Sequence, residues 1–298
     1  LTIVGISTYF TFKFLLTNTF LALNTVLAES GAKTVLTAFE RRVETLETVT
    51  SDWGQWDDSY EFIQDTNENY ITSNLGEESF QIHNLNLIIF YNDEGEIVYR
   101  KSLSLGAFGD TSVPSEVFST NQDSDKIKVM DVIRFNERNS GMLNTTHGTF
   151  LYSISPVTTS DGQGSPIGAL LMARYVNDGD IVELRNSTGY DVTFIEIDQI
   201  DKYGESLSLN DFSQNDFLIK NLDDKFSVYI LAKDSWETPA KILNIKHNFT
   251  GIEFCETLTI TLTGISVLFS ALLLLTFYRI TNYDIDSKKL IPNLKGSE

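Results

Sequence analysis

The residues of this chain best suited to chemistry gather in SDWGQWDDSYEFI, residues 51–63, its densest run of aromatic and acidic side chains. On a helix Trp53, Trp56, Asp57 and Tyr60 lie three, four and seven positions apart and share one face, with Asp52 and Asp58 flanking it. Such a wall can hold a ligand, its ring faces taking an apolar body or a cation and Asp57 a cation or hydroxyl. The same face also suits a core, in which the tryptophans are packing residues and Asp57 satisfies the backbone donors of a neighbouring turn. Three strand residues, Tyr91, Tyr152 and Arg174, are expected to complete the ligand-binding set. Arg174 sits in the apolar run ALLMARYV. A guanidinium there needs a carboxylate partner, with Asp57 or Asp52 the expected one, or a ligand anion.

Catalytic readings find little support. No G-x-S-x-G elbow frames a serine, and the glycine-rich DGQGSPIG lacks the lysine and the strand-loop-helix setting of a phosphate loop. Asp57 and Asp58 are adjacent, so on a helix they point about 100° apart and cannot flank one glycosidic bond. His83, His147 and His247 are far apart, and Cys255 is the single cysteine. No catalytic residue, metal, cofactor or intrachain disulfide is therefore expected.

The elements that must position these residues follow from periodicity. Leu36, Phe39, Val43, Leu46, Val49 and Trp53 recur at steps of three and four, one apolar stripe on a long helix running to about residue 52. A short helix follows with Tyr70, Asn74 and Leu75. Then LNLIIFY and EIVYRK, joined by a turn with Gly95, read as a β-hairpin. Residues 111–121, around Pro114, read as a short helix. A second hairpin pairs 148–159 with 167–176 across Gly162, Gly164 and Pro166. A helix from about Asp178 to Ser187 ends at Gly189, and DVTFIEI and FSVYILA supply further strands. The expected fold is α+β, one antiparallel sheet of five or six strands preceded by helices.

The run DWGQWDDSYEFI with Tyr70 and Asn74-Leu75 behind it, then LNLIIFYNDEGEIVY, then FLYSISPVTTSDGQGSPIGALLMARYV, resembles the CHASE domain of the fourth type over roughly residues 40–200. The tryptophan-aspartate block is the most specific part of the likeness. The resemblance implies an extracellular sensory domain of bacterial or archaeal receptors, with a Cache-like fold in which a PAS-like antiparallel sheet follows a long N-terminal helix. It also implies a cytoplasmic kinase or cyclase module, in cis or in trans, since only a short tail follows Arg279 here. It names no ligand.

Apolar segments at both ends frame the domain. Leu258–Ile280 has no charge before Arg279 and is long enough for the roughly 30 Å of a bilayer core; Leu1–Leu23 carries Lys13 near its middle, a charge that must snorkel or pair. The expected layout is a membrane helix over 1–23, an extracytoplasmic domain over 24–256, with its sheet reaching about 235, a membrane helix over 257–280, and a short cytoplasmic tail, 281–298. Lys288, Lys289 and Lys295 put that tail inside. Asn144, Asn186 and Asn248 head N-x-[ST] sequons and are candidate glycosylation acceptors. A net charge of -19 disfavours nucleic acid as a partner. The expected partners are a small ligand, the membrane and a second copy packed along the N-terminal helix. The function read from all this is a membrane-anchored sensor; the alternative is a cell-surface binding or assembly protein with no small ligand.

Overall fold

No proline interrupts residues 2–54, and they form one helix, α1 (Thr2–Gly54). The computed structural model describes residues 2–104, 113, 115, 118, 127–145, 147–162, 164–197, 199–200, 207–212, 217–222, 225–234, 239–247 and 251–290. The chain divides into two units, one of Leu1–Glu29, Asn221–Phe226 and Asn248–Glu298, the other of Ser30–Lys220 and Ser227–His247.

The first unit holds the start of α1 and the last helix, which runs from Gly251 to Leu290. Both helices contain segments long and apolar enough to cross a membrane, with mean hydropathy 1.2 in α1 and 2.2 over Phe254–Tyr283. Their large side chains point outward: Phe10, Phe14, Leu268, Leu272 and Leu275 are each more than half exposed. The helices touch at Gly5, where a Cβ would stand 3.1 Å from Val267 Cγ2. Lys13 places its ammonium 5.8 Å from the Tyr9 ring centroid, a cation–π contact that serves as its pairing.

In the second unit the rest of α1 is followed by α2 (Asp57–Asp65), α3 (Glu68–Asn74) and α4 (Glu77–His83). A five-stranded antiparallel sheet comes next, of β1 (Leu87–Asn92), β2 (Ile97–Ser102), β3 (Asn139–Thr145), β4 (Gly148–Pro156) and β5 (Gly168–Tyr175), in the order β2-β1-β5-β4-β3. Gly95, at φ +80°, makes the β1–β2 turn as expected. Helix α5 (Val129–Phe135) lies before β3. The two predicted hairpins are β1–β2 and β4–β5, and the predicted helix near 180 is α6 (Asp178–Thr188), capped by Gly189 in the left-handed region. The helix expected over 111–121 lies mostly outside the described residues.

Register decides the faces of this sheet. Tyr91 pairs with Ala169 and Tyr152 with Ala173, so both tyrosines share a face with Leu87, Ile89, Ile154 and Leu171, and that face is covered by Val129, Val132 and Ile133 of α5. The neighbouring positions Ile88, Phe90, Leu170, Met172 and Arg174 point the other way, toward the helical layer. There Phe62 of α2 stacks on Tyr70 at 4.5 Å and meets Phe90 edge-on at 5.0 Å.

A second sheet is a correction to the single sheet expected. It comprises β6 (Asp191–Glu196), β7 (Phe217–Leu222), β8 (Lys225–Lys233) and β9 (Pro239–His247), in the order β6-β9-β8-β7, and reaches beyond residue 235. Its separate core includes Ile195, Phe212, Tyr229, Leu231 and Ile242. The strands β3, β7 and β9 escaped the sequence reading because their apolar residues are interspersed with Asn, Lys and Ser or lie in short runs. The α+β class, the long N-terminal helix and the PAS-like antiparallel sheet are as expected.

Candidate functional site

The tryptophan-aspartate block does not lie on one helix. Helix α1 ends at Gly54 because the chain there presses on the end of β4: a Cβ at Gly54 would stand 2.8 Å from the Pro156 carbonyl oxygen, and the Gly54 carbonyl accepts from the Thr158 N–H at 3.0 Å. Trp56 is extended, at φ -108° and ψ 135°, and α2 starts after it. The indole rings of Trp53 and Trp56 still stack, 5.5 Å apart and 12° from parallel, and the His83 ring meets Trp53 edge-on at 5.7 Å. Trp53 is buried, Trp56 and Tyr60 half-buried.

Asp57 is exposed and bound to the loop after β4. Its carboxylate accepts from the Ser160 N–H at 2.9 Å, and its own N–H donates to Ser160 Oγ at 3.1 Å. Of the two readings of this acid, the structure supports the one in which it satisfies the backbone donor of a neighbouring turn.

Arg174 finds a different partner from the one expected. Its guanidinium lies 2.8 Å from the Asp180 carboxylate, not beside Asp57 or Asp52. The same oxygen of Asp180 receives Arg42 of α1 at 2.6 Å, and Arg42 also reaches Glu183 at 2.8 Å. Asp180 holds this place because it is the third residue of α6, where its second oxygen accepts the Asn177 N–H at 2.8 Å while Asn177 caps the helix. Its side chain is 1% exposed, so both guanidinium contacts are desolvated. Asp180 therefore ties β5, α6 and α1 into one charged joint. Sequence reasoning missed Asp180, Arg42 and Glu183. An acid opening a helix six residues after a buried arginine was a readable signal for the first, and nothing local pointed to Arg42.

Tyr91 and Tyr152 belong to the core on the far face of the sheet from Arg174. Tyr91 donates to the Phe118 carbonyl at 2.9 Å and Tyr152 to Asn139 Oδ1 at 2.6 Å. The seven predicted residues thus do not line one pocket between helices and sheet. Trp56, Asp57 and Tyr60 remain reachable from solvent at the α1–α2 corner; Trp53, Tyr91, Tyr152 and Arg174 are buried in the fold.

Behind that corner, a cleft of about 220 Å³ runs between α2 and α3, lined by Asp58, Glu61, Asn67 and Tyr70 among others. Burial pushes the Tyr70 hydroxyl up to about 12, although its 2.6 Å hydrogen bond with Ser59 pulls the other way. Tyr99 and Tyr175 are also raised by burial. Among the described residues no group of His, Cys, Asp and Glu is arranged to hold a metal ion. Asn144 lies on β3 and Asn186 on α6, both exposed; Asn248 falls outside the described residues.

The domain is helix-backed and antiparallel, in a chain with two helices long and apolar enough to cross a membrane. The CHASE4 domain model matches residues 38–195, just over half of the chain, and the chain belongs to the CHASE4 family. The match takes in the five-stranded sheet, the charged joint and all but the last residue of β6. The methanogenesis regulatory histidine kinase FilI of Methanothrix harundinacea (strain 6Ac) is 21% identical over 150 residues, which are 50% of this chain and 17% of that protein. Among solved structures, the periplasmic domain of Vibrio cholerae LuxQ is similar with a TM-score of 0.44 and 10% identity, covering 75% of this chain and 99% of that one. The sensor domain of the Vibrio cholerae histidine kinase DctB is similar with a TM-score of 0.40 and 9% identity over 77% of this chain and 97% of that one.

Proposed function

We propose that the chain is a two-pass, membrane-anchored sensor. Its central domain, residues 24–256, stands outside the cytoplasm, detects a small molecule or a partner, and relays the event through its membrane helices to a cytoplasmic histidine kinase or cyclase module, in the same chain or a separate one. The observation that carries this reading is the CHASE4 match over residues 38–195, which falls between the two apolar helices. FilI, a relative of this chain, is a histidine kinase by name, and the matched region is a small part of its length.

A signal can shift such a receptor only by binding one of its conformations better than another. Asp180 offers the joint for that shift, since one carboxylate holds the end of β5, the start of α6 and the shaft of α1. A change in the sheet that moves Asp180 pulls on Arg42 and so on α1.

Protease protection in intact cells tests the layout. The lysines 288, 289 and 295 favour a C-terminus inside, so a tag at Glu298 is expected to be protected and a tag near Gly162 to be cut. The opposite pattern overturns the sensor reading.

A further inference from the structure

A second cleft, of about 470 Å³, opens between α1, β3 and β8, and none of the residues predicted to bind a ligand lines it. Its volume is within the range of small-molecule sites. Phe39, Met142 and Leu231 are each buried to 6% exposure or less and make its floor. The rim is acidic. Glu40, Glu44 and Glu47 stand at steps of four and three on one face of α1, and Asp234, buried and already partnered, lines the cleft just after β8. Lys233 is the single cation among the described lining residues.

We propose that this cleft binds a small organic cation with an apolar body. Charge complementarity argues for the cation: among the described lining residues carboxylates outnumber cations, and Glu40 and Glu44 form no ion pair. As like charges four apart on a helix they also repel each other, and a bound cation relieves that repulsion. Glu47 is already held in place, accepting from Ser140 Oγ at 2.6 Å. The apolar floor argues for an organic body over a bare ion, because a hydrated metal would gain nothing from Phe39, Met142 and Leu231. The acidity is not simply that of the chain as a whole. Lys33, Arg41 and Arg42 line a different groove along the same helix, beside Glu183 of α6, so α1 keeps its charges on separate sides.

The proposal names the chemical class of signal for the sensor described above and rests on that reading only in this respect; binding itself does not depend on it. The test is titration calorimetry of the full chain in lipid nanodiscs, with the heats of empty nanodiscs subtracted. Three probes are used: phenethylammonium, the neutral phenethyl alcohol, and calcium ion. Phenethylammonium is expected to bind with a stoichiometry of one and the alcohol not to bind. Glu40 and Glu44 are exposed, so Glu40→Gln with Glu44→Gln should keep the fold while weakening the amine roughly tenfold. Arg41→Gln, in the other groove, should not weaken it. Equal binding of the alcohol, an unchanged affinity in the double variant, calcium binding in place of the amine, or no binding of the amine would each overturn the proposal. A silent titration leaves the protease pattern untouched, whereas a reversed protease pattern sinks the sensor reading and leaves any measured binding in force.

Discussion

The two sheets of this molecule each bury a cation, and they treat it differently. In the five-stranded sheet β4 and β5 are buried along nearly their whole length, and Arg174 meets a carboxylate that is itself 1% exposed. In the four-stranded sheet β6 is buried only at Val192 and Ile195, and both its ends are exposed. There the buried Lys241 bonds to Glu196, which is 49% exposed, and rests over the Phe194 ring at 5.5 Å. The first arrangement closes a charge network inside the fold. The second lets one end of the pair keep its water, so its loss strands less charge.

That contrast is broken or sharpened by four measurements. The largest effect is expected from Asp180→Ala, which leaves Arg174 and Arg42 without their shared carboxylate and should cost about 3 to 5 kcal/mol of stability. Glu196→Ala should cost under about 1 kcal/mol, because water can take the place of the lost carboxylate. Unfolding midpoints of the two variants in detergent compare them directly, and equal losses would erase the distinction drawn here.

Next comes alkaline pH, acting on the helical layer over the first sheet. Tyr70 in the fold holds its proton more tightly than in the unfolded chain, about 12 against 10.0. Its contribution is therefore complete below pH 10 and is lost as pH climbs toward 12, about 2 to 3 kcal/mol in all. Stability followed from pH 9 to 12 should fall in this window, and Tyr70→Phe should flatten the decline.

A smaller loss, about 1 kcal/mol, is expected for Asp57→Ala, which removes one exposed hydrogen bond to the Ser160 N–H. The last measurement concerns coupling. Asp57 is bound to Ser160 and Arg174 to Asp180, so Asp57→Asn and Arg174→Met should add within about 0.5 kcal/mol in the double variant. A clear departure from additivity would restore the Asp57–Arg174 pairing that the sequence suggested.

Why that pairing was suggested and is not found is a matter of reach. An arginine inside ALLMARYV announces that an acid must be near it, but the identity of the acid depends on which element folds back over the end of β5. It is α6, entered by a short turn, and its Asp180 then collects Arg42 from 138 residues away. The wall of Trp53, Trp56, Asp57 and Tyr60 failed similarly. The spacing assumed one helix, whereas close packing of Gly54 on Pro156 ends α1 and turns the chain. The glycine in DWGQW was the visible hint of that break.

What local chemistry alone dictated was read without the structure: the apolar terminal segments, the amphipathic stripe of α1, the two hairpins with their glycine turns, the cap at Gly189, and the block of residues that carries the family likeness. These depend on neighbours within a few positions, where helix and strand periods and turn conformations act. Tertiary structure alone decided that the nine strands of the described residues divide into sheets of five and four, that Tyr91 and Tyr152 lie on the opposite face from Arg174, and that carboxylates of α1 meet β3 and β8 around an apolar cleft. The reason is physical. A sheet face, an ion pair and a cavity are made by residues distant in the chain, and their formation depends on packing and desolvation, which no short window of sequence contains.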